Sequence, residues 1–273
     1  NQQVRASAPR NLLDNSDFRT PVNQRGYERW TQEPKPETDV DPNTCYGFTG
    51  GYTIDRWQAY KSGLTVNVSD GYLELVNTTS ETVHFVQELE NKVSVDKSIT
   101  IAVKFQDGGT YSNKGTVAAS GSTAPIYLDT CSIYYAGGSG WMTIGVSAGS
   151  SIKLEWAALY EGEYTAETRP EYQPKGYGVE LLECKRYFQK YQGIGFTVRN
   201  NGQVSYMLPV EMRATPTFSY GKKSIYTDSS TDVSGNYPDW EPTLYPSIIA
   251  MSNNAYNGYA TLQFSDIELN AEL

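Results

Sequence analysis

Five aromatic side chains lie in one long segment near the C-terminal end of the chain. The segment covers residues 220–246 and holds Tyr220, Tyr226, Tyr237, Trp240 and Tyr245. Aromatic rings offer a large, rigid contact area that stacks on the apolar faces of sugar rings. Carboxylates and amides nearby exchange hydrogen bonds with sugar hydroxyls. Long loops inside compact domains are usually functional or disordered. Five aromatics in 27 residues exceed the 13% of the whole chain, which argues against disorder, so the segment predicts a sugar-binding site.

The sharpest part of this hypothesis is the run from Asn236 to Glu241. Tyr237 and Trp240 are three residues apart, so a tight turn would present both rings to one ligand. Asp239 and Glu241 would then lie at the rim as hydroxyl acceptors. The predicted ligand-binding residues are Tyr237, Asp239, Trp240, Glu241 and Tyr245. The alternatives are that Tyr237 and Trp240 cap the end of a β-sandwich, or that the site lies in earlier loops around Tyr46, Phe48 and Tyr52.

Residues suited to catalysis are sparse. The only histidine, His84, lies in a predicted strand over residues 83–88 with no orienting acid or exposed nucleophile signalled beside it, which argues against a Ser-His-Asp relay. A glycosidase needs two carboxyls ~5–10 Å apart around a sugar, and the pairs Asp239 with Glu241 and Asp228 with Asp232 keep that alternative open. We expect no enzyme and no catalytic residue.

Metal ligands are equally few. One histidine and three scattered cysteines do not have zinc-site spacing. Asp41 and Asn43 form a poor fragment of a calcium-binding loop, so a structural calcium ion stays open as a weak alternative. We expect no other cofactor.

Charge excludes two classes of partner. Lys and Arg number 22 against 31 Asp and Glu, which gives a net charge of −9 and a pI near 4.8. The chain lacks the basic patch that binding to phosphate backbones requires, and an anionic membrane surface is excluded for the same reason. No apolar run approaches the ~20 residues of a membrane span, so we expect no membrane insertion.

Apolar and polar residues alternate with period two over much of the chain. The alternating runs lie at residues 64–68, 99–105, 142–146, 152–156 and 204–212, with turn residues between them, and a last run at 259–269 changes parity. Such alternation is typical of antiparallel strands with one buried face. The predicted fold class is all-β, with two antiparallel β-sandwich domains of jelly-roll type joined by one short α-helix.

The helix is predicted over residues 179–191. Leu181, Cys184, Phe188 and Tyr191 follow one another at steps of three, four and three, which puts them on one helical face. Gly193 would end the helix. The predicted domains are a linker at 1–10, a jelly roll at 11–175, a connecting helix at 176–191 and a second β-sandwich at 192–273. Because the chain does not begin with Met, we expect a fragment or a processed product.

Several motifs, in order, resemble bacteriophage and prophage tail-fibre receptor-binding proteins. The opening segments are Asn11-Leu-Leu-Asp-Asn-Ser-Asp-Phe18, Pro21-Val-Asn-Gln-Arg-Gly26 and Gly51-Tyr-Thr-Ile-Asp-Arg-Trp57. The later segments are Ile152-Lys-Leu-Glu-Trp-Ala-Ala-Leu-Tyr-Glu-Gly162, Glu180-Leu-Leu-Glu-Cys-Lys-Arg-Tyr-Phe-Gln189 and Leu208-Pro-Val-Glu-Met-Arg-Ala-Thr-Pro216. The chain departs from the family pattern at Lys185 and Phe188, and throughout residues 31–48 and 220–258.

The resemblance implies a non-enzymatic adhesin at the tail tip of a virion. It implies a carbohydrate-module-like first domain and a homotrimer that binds a bacterial surface glycan or surface protein, next to upstream tail-fibre or baseplate proteins. Residues 1–10 would continue that upstream fibre. The rivals are a structural virion module with no ligand of its own and a glycan-degrading module. Assembly in a bacterial cytoplasm is reducing, so Cys45, Cys131 and Cys184 should form no disulfide, and Cys184 should be buried.

Overall fold

The computed structural model describes residues 9–32, 44–46, 51–60, 63–118, 123, 125–199, 201–227, 233–234, 240–252 and 258–272. Over this described part the chain forms 20 strands and one helix, so the predicted all-β class is confirmed. The chain divides into two compact units, Asn1–Leu181 and Leu182–Leu273. Among the described residues, no helix qualifies by length and hydropathy as a membrane span.

The first unit contains two sheets. The strands of the seven-stranded sheet, in spatial order, are β2 (Thr44–Tyr46), β1 (Arg29–Thr31), β5 (Leu64–Ser69), β6 (Tyr72–Asn77), β13 (Ser151–Glu161), β8 (Ser98–Phe105) and β9 (Thr110–Thr116). Those of the six-stranded sheet are β10 (Ile126–Leu128), β11 (Cys131–Ala136), β12 (Trp141–Val146), β7 (Val83–Glu88), β4 (Trp57–Tyr60) and β3 (Gly51–Ile54). All neighbours are antiparallel except β1 and β2.

The two sheets pack face to face because their alternating apolar side chains share one core. Leu73 and Leu75 of β6 are fully buried there, as are Phe85 of β7 and Ile144 of β12. The core is aromatic at one end, where the Trp57 ring stacks on Phe85 with centroids 4.9 Å apart. The alternation at residues 64–68, 99–105, 142–146 and 152–156 therefore marks real sandwich strands, with β7 at the predicted 83–88.

A polar network inside this core fixes the N-terminal segment. Arg56 is 1% exposed, and its guanidinium lies 3.4 Å from Asp14 Oδ2 and donates to the Glu88 carbonyl at 2.8 Å. Gln87 Nε2 donates to the Asp14 carbonyl at 2.6 Å, and the Trp57 indole donates to the Asn15 carbonyl at 2.9 Å. A buried charge is tolerated only when it is paired and hydrogen-bonded, and Asp14 supplies both a carboxylate and a backbone carbonyl to this network.

A stack of four side chains covers part of the outer face of the seven-stranded sheet. Trp156 of β13 lies parallel to Tyr172, with ring centroids 4.5 Å apart. Arg169 lies over the Trp156 ring and Arg19 over the Tyr172 ring, at 5.7 and 5.9 Å. Desolvation by this packing raises the pKa of the Tyr172 hydroxyl. The segment after β13 thereby covers a second apolar cluster on this outer face.

The second unit is smaller and also has two sheets. One sheet holds β14 (Phe188–Arg199), β20 (Tyr259–Asn270) and β16 (Thr217–Ser219) in that order, with β17 (Lys222–Thr227) also paired to β20. The other holds β15 (Gln203–Met207), β19 (Ile248–Ser252) and β18 (Thr243–Leu244) in that order. Their apolar faces share one core that includes Phe196, Leu262, Phe264 and Ile249.

The predicted helix is too long at its C-terminal end. The helix α1 covers Tyr177–Lys185, and Phe188 and Tyr191 belong to β14 instead. They pair with Asn270 and Ile267 of β20. The three-four-three spacing was a coincidence at its last two positions, and Gly193 lies inside β14 rather than at a helix end. The predicted burial of Cys184 is confirmed.

Two other expectations in the second unit have different outcomes. The run at 204–212 ends early, because β15 stops at Met207 and Pro209 lies beyond it; Pro has no N–H for a ladder hydrogen bond. The parity change in β20 is confirmed, since Phe264 and Ile267 are both buried and Asp266 between them has a φ of +51°.

Cys45, Cys131 and Cys184 are thiols in this structure.

The Arg56 network predicts a large stability loss on removal of its acid. Asp14→Ala removes a carboxylate from beside the nearly fully buried Arg56 guanidinium, and we expect the free energy of unfolding of the first unit to fall by about 3 kcal/mol. Chemical denaturation followed by tryptophan fluorescence measures this, because four of the five tryptophans lie in the first unit.

The control for Asp14 is the exposed ion pair between Lys114 and Glu163, whose side chains are 46% and 51% exposed. Lys114→Ala should change stability by less than ~1 kcal/mol, the usual range for surface pairs. Equal losses in the two variants would contradict the central role of Arg56.

Candidate functional site

The predicted site in residues 220–246 is only partly within the described chain. Tyr237 and Asp239 lie outside the described residues, as do Asp228 and Asp232 of one carboxylate pair. Trp240, Glu241 and Tyr245 are described. The structure therefore tests neither the stacking of Tyr237 with Trp240 nor either pair of carboxylates.

Two of the three described residues make contacts within the protein. The Trp240 ring packs against the core of the second unit, and its indole N–H donates to the Ser252 carbonyl at 2.7 Å. Glu241 accepts hydrogen bonds from Lys223 Nζ at 2.6 Å and from the Tyr220 hydroxyl at 2.7 Å. The bond to Glu241, followed by burial, raises the pKa of Tyr220.

Tyr245 differs from these two because its side chain is 50% exposed. The structure places Trp240 against a core and Glu241 in an ion pair, which favours the capping alternative for Trp240. The Glu241 side chain is also exposed, at 41%, but it is engaged by Lys223 and Tyr220. The predicted site remains a hypothesis that needs a binding measurement.

A larger aromatic surface lies on the outer face of the six-stranded sheet in the first unit. Strand pairing sets its residues in rows across β10, β11, β12, β7, β4 and β3. One row is Tyr127, Ser132, Gly145, His84 and Tyr60, a second is Tyr134, Thr143, Val86, Gln58 and Tyr52, and a third is Ala136, Trp141 and Glu88. We call these residues the aromatic face.

Strand alternation assigns the aromatic face to the outside. The intervening residues of the same strands, such as Trp57, Phe85 and Ile133, are fully buried in the sandwich core. Residues that pair directly across strands point to the same side of a sheet. The rings of the aromatic face therefore point away from the core.

The rings contact one another and cover the middle of the sheet. Tyr60 and Trp141 meet edge to face with centroids 4.8 Å apart, and His84 lies edge-on to Tyr134 at 6.5 Å. Val86 is fully buried beneath them although it lies on the outer side. Tyr127, at the edge of the sheet, is 78% exposed.

A glycine in the central strand β12 shapes the polar part of this face. A Cβ atom at Gly145 would lie 2.8 Å from Ser132 Oγ and 3.2 Å from His84 Cδ2. Glycine at this position therefore lets a hydroxyl and an imidazole approach each other over the strand. Their side chains supply both hydrogen-bond donors and acceptors beside the rings.

The charge of the aromatic face is low. None of its thirteen residues is Lys or Arg, and Glu88 is its one carboxylate. Burial raises the pKa of the Tyr134 hydroxyl, which is hydrogen-bonded to the Thr143 side chain. At the β3 edge, Arg25 lies over the Tyr52 ring at 5.3 Å, but Asp55 pairs with Arg25 at 3.0 Å. Aromatic rings with neutral polar groups and little fixed charge suit an uncharged, hydroxyl-rich ligand.

Sequence reasoning missed this face. His84 was assigned as an ordinary strand histidine, and Tyr60, Tyr134 and Trp141 gave no separate signal. Alternation does predict which residues of 83–88 and 142–146 point outward. It does not give the order in which β12, β7 and β4 lie side by side, and that order brings the rings together.

Metal binding has no support among the described residues. They contain no group of three or more His, Cys, Asp or Glu side chains placed to hold a metal ion. Asp41 and Asn43, the weak calcium fragment, lie outside the described residues.

Comparison with family models, curated proteins and solved structures found no match to this chain.

The contacts of Trp240 and Tyr245 lead to a paired prediction. Trp240→Ala removes a ring that packs on the core of the second unit, and we expect a stability loss of about 2 kcal/mol, below that of a fully buried tryptophan. Tyr245→Ala should change stability by less than ~0.5 kcal/mol. Differential scanning calorimetry measures both. Tryptophan fluorescence would not serve, because Trp240 is the only tryptophan of the second unit and the variant removes it.

Binding to bacterial cells separates the two roles. If residues 220–246 bind the receptor, the folded Tyr245→Ala protein should bind cells more weakly, whereas if the segment only caps the domain, this variant should bind like the unmodified chain. A stable Trp240→Ala protein would contradict the packing role.

Proposed function

We propose that this chain is a non-enzymatic receptor-binding protein of a bacteriophage tail tip, and that its aromatic face binds a glycan on the bacterial surface. The observation that carries the proposal is the cluster of outward rings across one sheet of the first unit. The order of the sequence motifs supports the tail-tip assignment, and the aromatic face supplies the chemistry of sugar recognition.

The aromatic face suits sugars for two physical reasons. Flat rings bury the C–H faces of pyranoses at little entropic cost, and Tyr60, Trp141 and Tyr134 provide such rings. Ser132, His84 and Gln58 lie within the same rows, so hydroxyls at the edge of a bound sugar meet donors and acceptors. The ligand needs no charge for these contacts.

The proposed glycan is therefore uncharged. A polyanion such as an acidic capsule would need cations to replace its counterions, and the thirteen positions of the aromatic face offer none. The net charge of −9 opposes a polyanion at longer range. Binding should depend little on salt, since stacking and neutral hydrogen bonds are weakly screened.

Two ring deletions test the proposal. Trp141→Ala and Tyr134→Ala each remove a stacking surface, and we expect each to weaken binding to host cells or to their purified neutral glycan by about tenfold or more, the effect of a central aromatic anchor. Isothermal titration calorimetry measures the affinity. Melting temperature checks folding, because Trp141 also covers part of the sheet.

Tyr259→Ala is the matched control, because Tyr259 is 55% exposed and lies in the second unit. It should bind like the unmodified chain. Full affinity of both folded ring variants would exclude the aromatic face. Binding that survives removal of glycans but not protease treatment of the cells would indicate a protein receptor instead.

We further propose that the chain acts as a homotrimer attached to upstream tail-fibre or baseplate proteins in the virion. Single sugar sites bind weakly, and several copies that face one surface gain strength through effective concentration. Closed cyclic symmetry is the common route to such assemblies. Light scattering of the chain with its upstream fibre segment should give three copies, and a monomer would refute this part.

A further inference from the structure

A cleft of about 560 Å³ opens at one edge of the first unit. The hairpin between β8 and β9 forms one wall, the turn between β10 and β11 forms another, and the start of β13 forms the floor. The lining side chains with chemistry to offer are Phe105, Asp107, Tyr111, Asp129, Ser151 and Lys153. None of them belongs to the aromatic face, and the volume falls within the usual ~300–1,000 Å³ of ligand sites.

One wall of the cleft is aromatic and held in place. Tyr111 meets Phe105 edge to face with ring centroids 5.6 Å apart. The Tyr111 side chain is still 39% exposed, so part of its ring is open to the cleft. The hairpin that carries both residues is tied by Lys104 Nζ, which donates to the Gly108 carbonyl at 2.6 Å.

Two of the charged groups in the cleft offset each other. Lys153 Nζ lies 3.7 Å from Asp107 Oδ2 and 5.2 Å from the centre of the Tyr72 ring. The ammonium group is therefore shared between a carboxylate and a ring. An anionic ligand would have to compete with Asp107 for it.

Asp129 is different, because it has no ion pair or hydrogen bond to any described residue. It lies in the turn after β10, and its carboxylate oxygens accept no hydrogen bond from the described part of the chain. The neighbouring hydroxyl of Thr130 is already bonded to the Cys131 thiol. Asp129 and Tyr111 line the same cleft, and such a pair suits a sugar because the carboxylate can accept hydrogen bonds from two adjacent hydroxyls while the ring stacks.

We propose that this cleft is a second sugar-binding site, which takes one uncharged sugar residue with Tyr111 as its stacking ring and Asp129 as its hydroxyl acceptor. This second site depends on the proposed function in one respect, the choice of a sugar as its ligand. β10 separates the two sites: Tyr127 points to the aromatic face, and Leu128 and Asp129 line the cleft. One unit would then hold a glycan at two places, which multiplies weak affinities.

NMR titration of the ¹⁵N-labelled chain tests the second site. The ligands are the methyl glycosides of glucose, galactose and N-acetylglucosamine, each at millimolar concentration. At least one should cause saturable shifts of the backbone amides at residues 107–111 and 129–130. Tyr111→Ala and Asp129→Asn should weaken that binding tenfold or more, whereas Tyr111→Phe should retain most of it.

Asp70→Ala is the control, because Asp70 is an exposed carboxylate in the turn between β5 and β6. It should leave the shifts unchanged. Asp129→Asn conserves the size of an exposed turn residue, so this variant tests the site even if Tyr111→Ala fails to fold. The absence of saturable shifts in the cleft with all three glycosides would overturn the proposal, as would shifts that survive in both variants.

The same titration keeps the two proposals apart. Shifts at the aromatic face without shifts in the cleft refute the second site alone. Shifts in the cleft that persist in Trp141→Ala, without shifts at the aromatic face, support the second site and refute the aromatic face as a sugar site.

Discussion

One buried cation constrains the whole first unit. Arg56 lies in the two-residue connection between β3 and β4, has a φ of +70°, and is 1% exposed. A non-glycine residue in the left-handed region costs of order 1–3 kcal/mol and persists only where its surroundings fix it. Here the guanidinium is fixed by Asp14 and by the Glu88 carbonyl. The N-terminal segment therefore contacts β7 and the β3–β4 connection directly, and the strands β4 and β7 carry Tyr60, His84 and Glu88 of the aromatic face.

The two sheets of the first unit differ in what covers their outer sides. The seven-stranded sheet buries Trp156 under Tyr172, with an arginine on each side of the stack. The six-stranded sheet leaves Tyr127 78% exposed and buries Val86 on its outer side, where the described rings of Tyr60 and Trp141 meet. Large exposed aromatic clusters are uncommon on monomeric proteins unless they bind something. The difference between the two faces, rather than the total aromatic content, is the reason to propose a ligand at one of them.

Local pattern predicted the fold well but could not predict the aromatic face, for related reasons. Strand residues such as Leu73, Phe85 and Ile144 alternate because each strand needs one buried face, and this requirement is visible in any short stretch of sequence. Phe188 and Tyr191 matched a helical period by chance, and pairing with β20 overrode it. The aromatic face depends on which strands lie side by side, which no short stretch records. The motif residues Asp14, Asn15, Arg56 and Trp57 hold the fold together, so a motif resemblance at these positions bears on architecture more than on ligand.

Charge decides how the proposed adhesin would gain affinity. With a net charge of −9, long-range attraction to an anionic surface is absent, and at physiological salt charges are screened beyond ~8 Å. Affinity for a neutral glycan must then come from short-range stacking and hydrogen bonds, each of which is weak. The two proposed sites on one unit and the proposed homotrimer would address the same physical problem, because a second contact to a held glycan requires no further loss of translational freedom. An adhesin of this kind should therefore lose most of its cell binding when either the second site or the assembly of several copies is removed, even though no single contact is strong.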